Sequence, residues 1–454
     1  PLNSSTEVDR RAGSPGWFQR TFFGAAPSSG EALPALDGIR ALAVIVIFAR
    51  HAWGLTGQAS VVIPVFGGDI DLSPIIMMMS NGVDLFFVLS GFLLARAFIS
   101  ADAAGTDPPG LRKYFRARAF RIMPAYYVVL AALLVFFVPG TLNPELVYSW
   151  GGFKAVVGHL TMLQTIFPFS YGMWGPGTPF WTLSIEVIFY ATLPWLVRMF
   201  YRRRWLWGLP LSAAITLGWL WFVRVSAAPL VNFIVDHGGR DGAWDTFVRF
   251  FLSKQFPAHL FDFAVGMTVA AIYVRHRRGE GNAVTHWLST RAGALVCMGT
   301  GVVVVLVAMR YLGILSLTYQ FYDGTVLLTH DTRESWIYYL LEQPSMAAGF
   351  GLLVLGSVLG PPRASAALSV RPLRFIGIIG YGVYLWHMPF LYQYAAMPWI
   401  QRISPFVRWF VVMGLVGAIV VVVSMLTYVL VERPMIERGR RRGGASIPSG
   451  LAGR

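Results

Sequence analysis

Arg40 and His51 stand eleven positions apart in one apolar run, Leu36-Asp-Gly-Ile-Arg-Ala-Leu-Ala-Val-Ile-Val-Ile-Phe-Ala-Arg-His51. An imidazole titrates near neutral pH and so suits proton transfer, whereas a guanidinium keeps its charge and grips anions in a two-pronged fork. Inside hydrocarbon either group costs several kcal/mol unless it is paired or faces a cavity, which makes each a candidate for function. Glu186 and His387 interrupt two other apolar runs in the same way. Arg118 and Arg121, three apart, share one helix face at the end of a further run.

The elements that must position these groups are membrane helices. Hydrophobic residues make up 56% of the 454-residue chain, charged residues 13%, and mean hydropathy is +0.58. Crossing hydrocarbon takes roughly 20 residues per helix. Segments of that kind fall near 39–57, 75–98, 121–138, 180–200, 205–223, 257–275, 292–311, 337–359, 374–397 and 406–431. The expected fold class is therefore an all-α integral membrane bundle of about ten helices. A weaker run, Phe153 to Phe169, carries Lys154, His159 and Gln164 and reads as re-entrant or interfacial.

The net charge of +15 is arginine-rich and gathers in alternate loops, as positive-inside anchoring requires. Arg112, Lys113, Arg116, Arg118 and Arg121, then Arg198 with Arg202 to Arg204, then Arg275, Arg277 and Arg278, fall on one side with Arg363, Arg371, Arg374 and Arg438 to Arg442. The opposite loops hold Asp69 and Asp71, and later Asp323, Asp331 and Glu334. Both termini are then cytoplasmic. Residues 1–35 read as a disordered tail, 36–433 as the membrane domain and 434–454 as a basic tail. No polar domain carries a basic stripe, so nucleic acid is not an expected partner. Cys297 is the only cysteine, and neither HExxH nor another metal-ligand spacing occurs, so no metal is expected.

At about 1.5 Å per residue, His51 lies on the order of 16 Å beyond Arg40, and Glu186 and His387 reach a similar depth from their own helices. Three ionisable groups from three helices thus converge near mid-membrane.

The motifs along the chain resemble those of the integral-membrane acyltransferases, acyltransferase family 3. They are Leu36-Asp-Gly-Ile-Arg-Ala-Leu-Ala43 with His51, Gly82-Val-Asp-Leu-Phe-Phe-Val-Leu-Ser-Gly-Phe-Leu-Leu94, Arg118-Ala-Phe-Arg-Ile-Met-Pro124, Trp181-Thr-Leu-Ser-Ile-Glu-Val-Ile-Phe-Tyr190, Tyr381-Gly-Val-Tyr-Leu-Trp-His387 and Val431-Glu-Arg-Pro434. Arg50 stands outside the pattern. The resemblance implies transfer of an acyl group, commonly acetyl, from cytoplasmic acyl-CoA to a hydroxyl of a cell-envelope carbohydrate, glycolipid or secondary metabolite. Acyl-CoA is then a co-substrate, and no tightly bound cofactor is expected. The setting would be a bacterial inner membrane, with its lipids as the remaining partners.

In chemical terms His51 is the candidate general base, and Glu186 the carboxylate that would hold its tautomer. A structural ion pair of Glu186 with Arg40 or Arg50 is the alternative. Arg118 and Arg121 suit the phosphates of CoA, with Arg40 close by, or they anchor topology against lipid headgroups. Ser90 could carry an acyl group, but no motif places a base beside it, and Ser-Gly in a membrane helix favours close packing. Tyr384 and His387, at i and i+3, could line the acceptor cavity or bond across helices. Asp84 has no assigned role. Buried His, Glu and Arg on ten helices also describe a proton-coupled transporter, although no inverted repeat of broken helices is visible.

Overall fold

The computed structural model describes residues 17–23, 33–137, 150–166, 179–236, 251–318 and 333–441. Asp323, Asp331, Arg442, the far end of the Phe153 to Phe169 run and most of both tails lie outside the described residues. In chain order the main helices are α1 (Trp17–Phe22), α2 (Pro34–Leu55), α3 (Gly82–Ala104), α4 (Leu111–Ala132), α5 (Trp150–Leu160), α6 (Trp181–Leu196) and α7 (Trp205–Asp236). They continue with α8 (Phe256–Arg277), α9 (Arg291–Thr318), α10 (Arg333–Leu359), α11 (Arg371–Ile378), α12 (Gly380–Ala395), α13 (Pro405–Thr427) and α14 (Arg433–Arg441). The one sheet among the described residues is a hairpin of Val62–Val65 with Gly68–Asp71, turning through Phe66 and Gly67 at φ 48° and 82°.

Eight of these helices, α2, α3, α4, α6, α7, α8, α9 and α13 with their flanking turns, are long and apolar enough to cross a membrane. A ninth crossing results if α11 and α12, which meet at 71°, count as one broken span. The protein is thus multi-pass. The remaining expected crossing, α10, spans 27 residues, but Glu342, Gln343 and Pro344 interrupt its apolar character. Helix α5, eleven residues long, is too short to cross and is tied down where the Tyr126 and Tyr127 hydroxyls donate to the carbonyls of His159 and Leu160, at 2.9 and 2.8 Å. Part of the stretch expected as a disordered tail is ordered. Its α1 carries Phe22, which is buried with ring centroids 5.0 Å from Phe375 and 5.5 Å from Tyr428, so aromatic burial holds it on the bundle.

Helices α3 and α8 cross with almost no side chain between them. A Cβ at Gly91 would strike the Phe263 carbonyl, and one at Gly266 would strike the Val88 carbonyl. Small residues permit such contact between membrane helices, where lipid offers no hydrophobic gain and van der Waals fit carries association. Gly266→Leu is therefore expected to lower stability by at least about 1–3 kcal/mol through overpacking, read as a drop in the melting temperature of detergent-purified protein. An unchanged melting temperature would show that the seam tolerates bulk.

Candidate active site

Helix α2 carries His51 one turn before its end, and α12 brings His387 against it. The Nδ1 of His51 lies 3.0 Å from the Nε2 of His387, with the rings stacked at 5.1 Å and 19°. The other nitrogen of His387, Nδ1, lies 2.6 Å from the Tyr384 carbonyl. A carbonyl only accepts, so Nδ1 of His387 carries hydrogen, and in the neutral ring Nε2 is then an acceptor. It follows that His51 donates through Nδ1 and keeps a bare lone pair on Nε2. No protein group among the described residues bonds that atom.

Glu186 lies elsewhere. It accepts from Ser90 Oγ at 2.9 Å and from the Tyr190 hydroxyl one turn along its own helix, and it makes no bond to His51. The partner of His51 in the structure is therefore His387 and not the carboxylate expected from depth. Depth along a helix axis does not fix which way a side chain faces, and α6 turns Glu186 toward α3. The same contact alters the reading of Ser90, because a carboxylate does stand within hydrogen-bond reach of it. Its neighbour Gly91 makes the close helix packing.

Glu186 and Tyr190 share an electrostatic neighbourhood with the arginines. Arg118 lies within reach of both, and Arg40 within reach of Glu186, Tyr190 and Arg121. Arg40 donates to Asp37 at 3.2 Å, and Arg374 approaches the same carboxylate at 3.8 Å. Arg118 and Arg121 make no ion pair among the described residues, and the Nε of Arg118 is buried without a partner. Two uncommitted guanidinium groups on one face are equipped to hold phosphate oxygens. Glu432, buried in the wide turn Tyr428–Glu432 and close to Arg121, completes this end.

On its other side His51 borders a cavity of about 270 Å³ whose wall includes Arg50, Asp84, His259, Glu342 and Tyr384. Tyr384 is fixed by Thr182 Oγ1 at 2.8 Å and by the Pro179 carbonyl, to which it donates at 2.7 Å. Arg50 is buried, donates through Nε to the Met77 carbonyl at 3.0 Å and lies over the Trp53 ring at 5.3 Å. These contacts explain how a guanidinium is tolerated beside His51. Asp84 belongs to a buried network in which Asn81 Nδ2 donates to Asp84 at 3.2 Å and to Glu342 at 3.0 Å. The Nδ1 of His259 faces Asp262 at 3.2 Å and Asp84 at 3.7 Å. Asp84, His259 and Asp262 offer ligand atoms within 4.8 Å of one another, a spacing that a cation could bridge, although the sequence carries no recognisable ligand motif.

Sequence reasoning passed over His259, Asp262 and Glu342. The signal was present, since His259 and Asp262 at i and i+3 lie inside the apolar run at 257–275.

A family model described as an acyltransferase domain matches residues 33–429. The peptidoglycan O-acetyltransferase OatA of Listeria monocytogenes is 25% identical over 375 residues, covering 80% of this chain and 50% of that protein. The putative peptidoglycan O-acetyltransferase YrhL of Bacillus subtilis is 25% identical over 425 residues, covering 90% of this chain and 56% of its own. The chain thus spans about half the length of these two relatives. The exopolysaccharide production protein ExoZ of Rhizobium meliloti is 25% identical over 376 residues, covering 82% of this chain and 93% of ExoZ. No solved structure matches.

Proposed function

Because the chain belongs to this acyltransferase family, we propose that it moves an acyl group, acetyl in the first instance, from cytoplasmic acyl-CoA to a hydroxyl of a cell-envelope carbohydrate or glycolipid. The observation that carries the reading is the bare Nε2 of His51, turned away from His387 in a residue that borders a cavity, in a bundle whose other end gathers uncommitted arginines. In this reading ten helices cross a bacterial plasma membrane with both ends cytoplasmic. Arg118 and Arg121, assisted by Arg40, hold the phosphates of CoA. Glu186, fixed by Ser90 and Tyr190, balances their charge beside the thioester.

The acceptor hydroxyl gives its proton to His51 Nε2 as its oxygen attacks the thioester carbonyl carbon. The carbon–sulfur bond then breaks, and the departing thiolate takes the proton back from the imidazolium. Ester and free CoA thiol are the products, and the base is restored.

Purified protein in detergent should consume acetyl-CoA and form an ester on added carbohydrate. Arg118→Ala is expected to raise the KM for acetyl-CoA about tenfold, the worth of one charge-assisted hydrogen bond. The KM for acetyl-pantetheine, which lacks the nucleotide phosphates, should not move. Equal effects on both donors would remove Arg118 from the phosphate site.

A further inference from the structure

Asp84 of α3 meets His259 and Asp262 of α8 between the two helices that share the glycine seam, and the transfer chemistry uses none of the three. They are buried, at 2%, 1% and 0% exposure. The Oδ2 of Asp262 lies 3.2 Å from His259 Nδ1, while its Oδ1 has no hydrogen-bond partner among the described residues. Both oxygens are bonded to one carbon, so the unpartnered one belongs to the same small space. An ionised carboxylate left idle in the interior is costly unless a cation takes it up. Asp84 and Glu342 lie within electrostatic reach of Asp262, and the cation that reaches this group is Lys254, so acids outnumber it.

The spacings point the same way. A charge-assisted bond from an imidazolium to a carboxylate spans about 2.7–2.9 Å. His259 Nδ1 stands farther off, 3.2 Å from Asp262 and 3.7 Å from Asp84. Two ligand atoms on one tetrahedral zinc ion are about 3.4 Å apart, given bonds near 2.1 Å. The observed distances bracket that edge. The three ligand atoms lie within 4.8 Å of one another, and a cation would draw the two like-charged carboxylates together. Asn81 Nδ2 donates to the second oxygen of Asp84 at 3.2 Å, the kind of support that orients metal ligands. Asp84 and His259 border the cavity, which gives an ion access and a fourth position open to water.

We propose that Asp84, His259 and Asp262 bind one divalent metal ion of the zinc type, held through His259 Nδ1 and an oxygen of each carboxylate. An imidazole beside two carboxylates suits zinc better than magnesium, which favours octahedral oxygen ligands and keeps its waters. The site stands independently of the transfer reading, since none of its ligands takes part in that chemistry.

To test this, the full chain in detergent would be stripped with EDTA, exchanged into metal-free buffer and titrated with Zn²⁺ alone. The expected result is about one bound ion per chain by elemental analysis, with a rise in melting temperature. Asp262→Asn keeps the shape and removes the ligand charge. It should weaken Zn²⁺ binding about tenfold or more and abolish the rise, while melting no lower than the stripped wild type in the absence of metal. Asp84→Asn should act alike. His276 and His286, whose rings lie 5.3 Å apart, are a competing place for the ion, so His286→Ala should leave binding as it was. Four results would overturn the site: no binding by the stripped wild type, full binding by both asparagine variants, loss of binding on His286→Ala, or tighter binding of Mg²⁺ than of Zn²⁺.

Discussion

His51→Ala is expected to lower acetyl transfer by about 10²–10⁴-fold, the range for losing a positioned general base. The loss should fall on kcat, since no arginine that would hold the donor is touched. Folding should change little. The bond between His51 and His387 contributes about 1 kcal/mol at most, and the half-buried ring borders an existing cavity. The check is turnover of acetyl-CoA with a saturating glycoside, alongside the melting temperature in the same detergent. A variant that melts like wild type and retains transfer within threefold would remove His51 from the chemistry, as would be expected of a transporter or scaffold.

Nearly as large is the effect expected at His387. This residue does not need to touch the reactants. It accepts the Nδ1 hydrogen of His51 and so leaves the basic lone pair on Nε2, while the Tyr384 carbonyl fixes its own tautomer. Losing the partner that orients a catalytic imidazole can cost up to about 10⁴-fold, and His387→Ala should lose about 10²-fold in kcat with the KM for acetyl-CoA unchanged. His387→Gln separates positioning from mere packing. A glutamine carbonyl can accept the same hydrogen, so a substantial part of kcat should return, whereas His387→Met, of similar bulk, should resemble alanine. Glu186→Gln supplies the contrast. If it, and not His387→Ala, reproduces the kinetics of a misoriented His51, the carboxylate pairing expected from the sequence is the working one in solution.

That contrast shows where the sequence was legible. Apolar runs of membrane length and their arginine punctuation announced the helices, because hydrocarbon thickness and the cost of charge leave few alternatives. The rise per residue gave depth, and depth brought His51, Glu186 and His387 to one level. Azimuth was not available. Whether Glu186 faces His51 or Ser90 depends on how α6 packs, and packing involves residues far apart in the chain. The bend between α11 and α12 was hidden for a similar reason, since apolar residues continue through it and only the glycines Gly377, Gly380 and Gly382 mark the break. Glu342 and Gln343 were absorbed into an apolar average over 337–359, which concealed the polar wall they build with Asp84 and His259. Motif resemblance added the acyltransferase family, which hydropathy alone does not contain.

The glycine seam between α3 and α8 has a mechanical consequence. Asp84 and Ser90 belong to one of these helices and His259 to the other, so the polar cavity wall and the serine bonded to Glu186 ride on a single stiff body. A rocking pump needs such groups to part company during its cycle. Here they are held as one piece, so any rearrangement that admits a donor or releases a product has to occur among the helices packed around this pair.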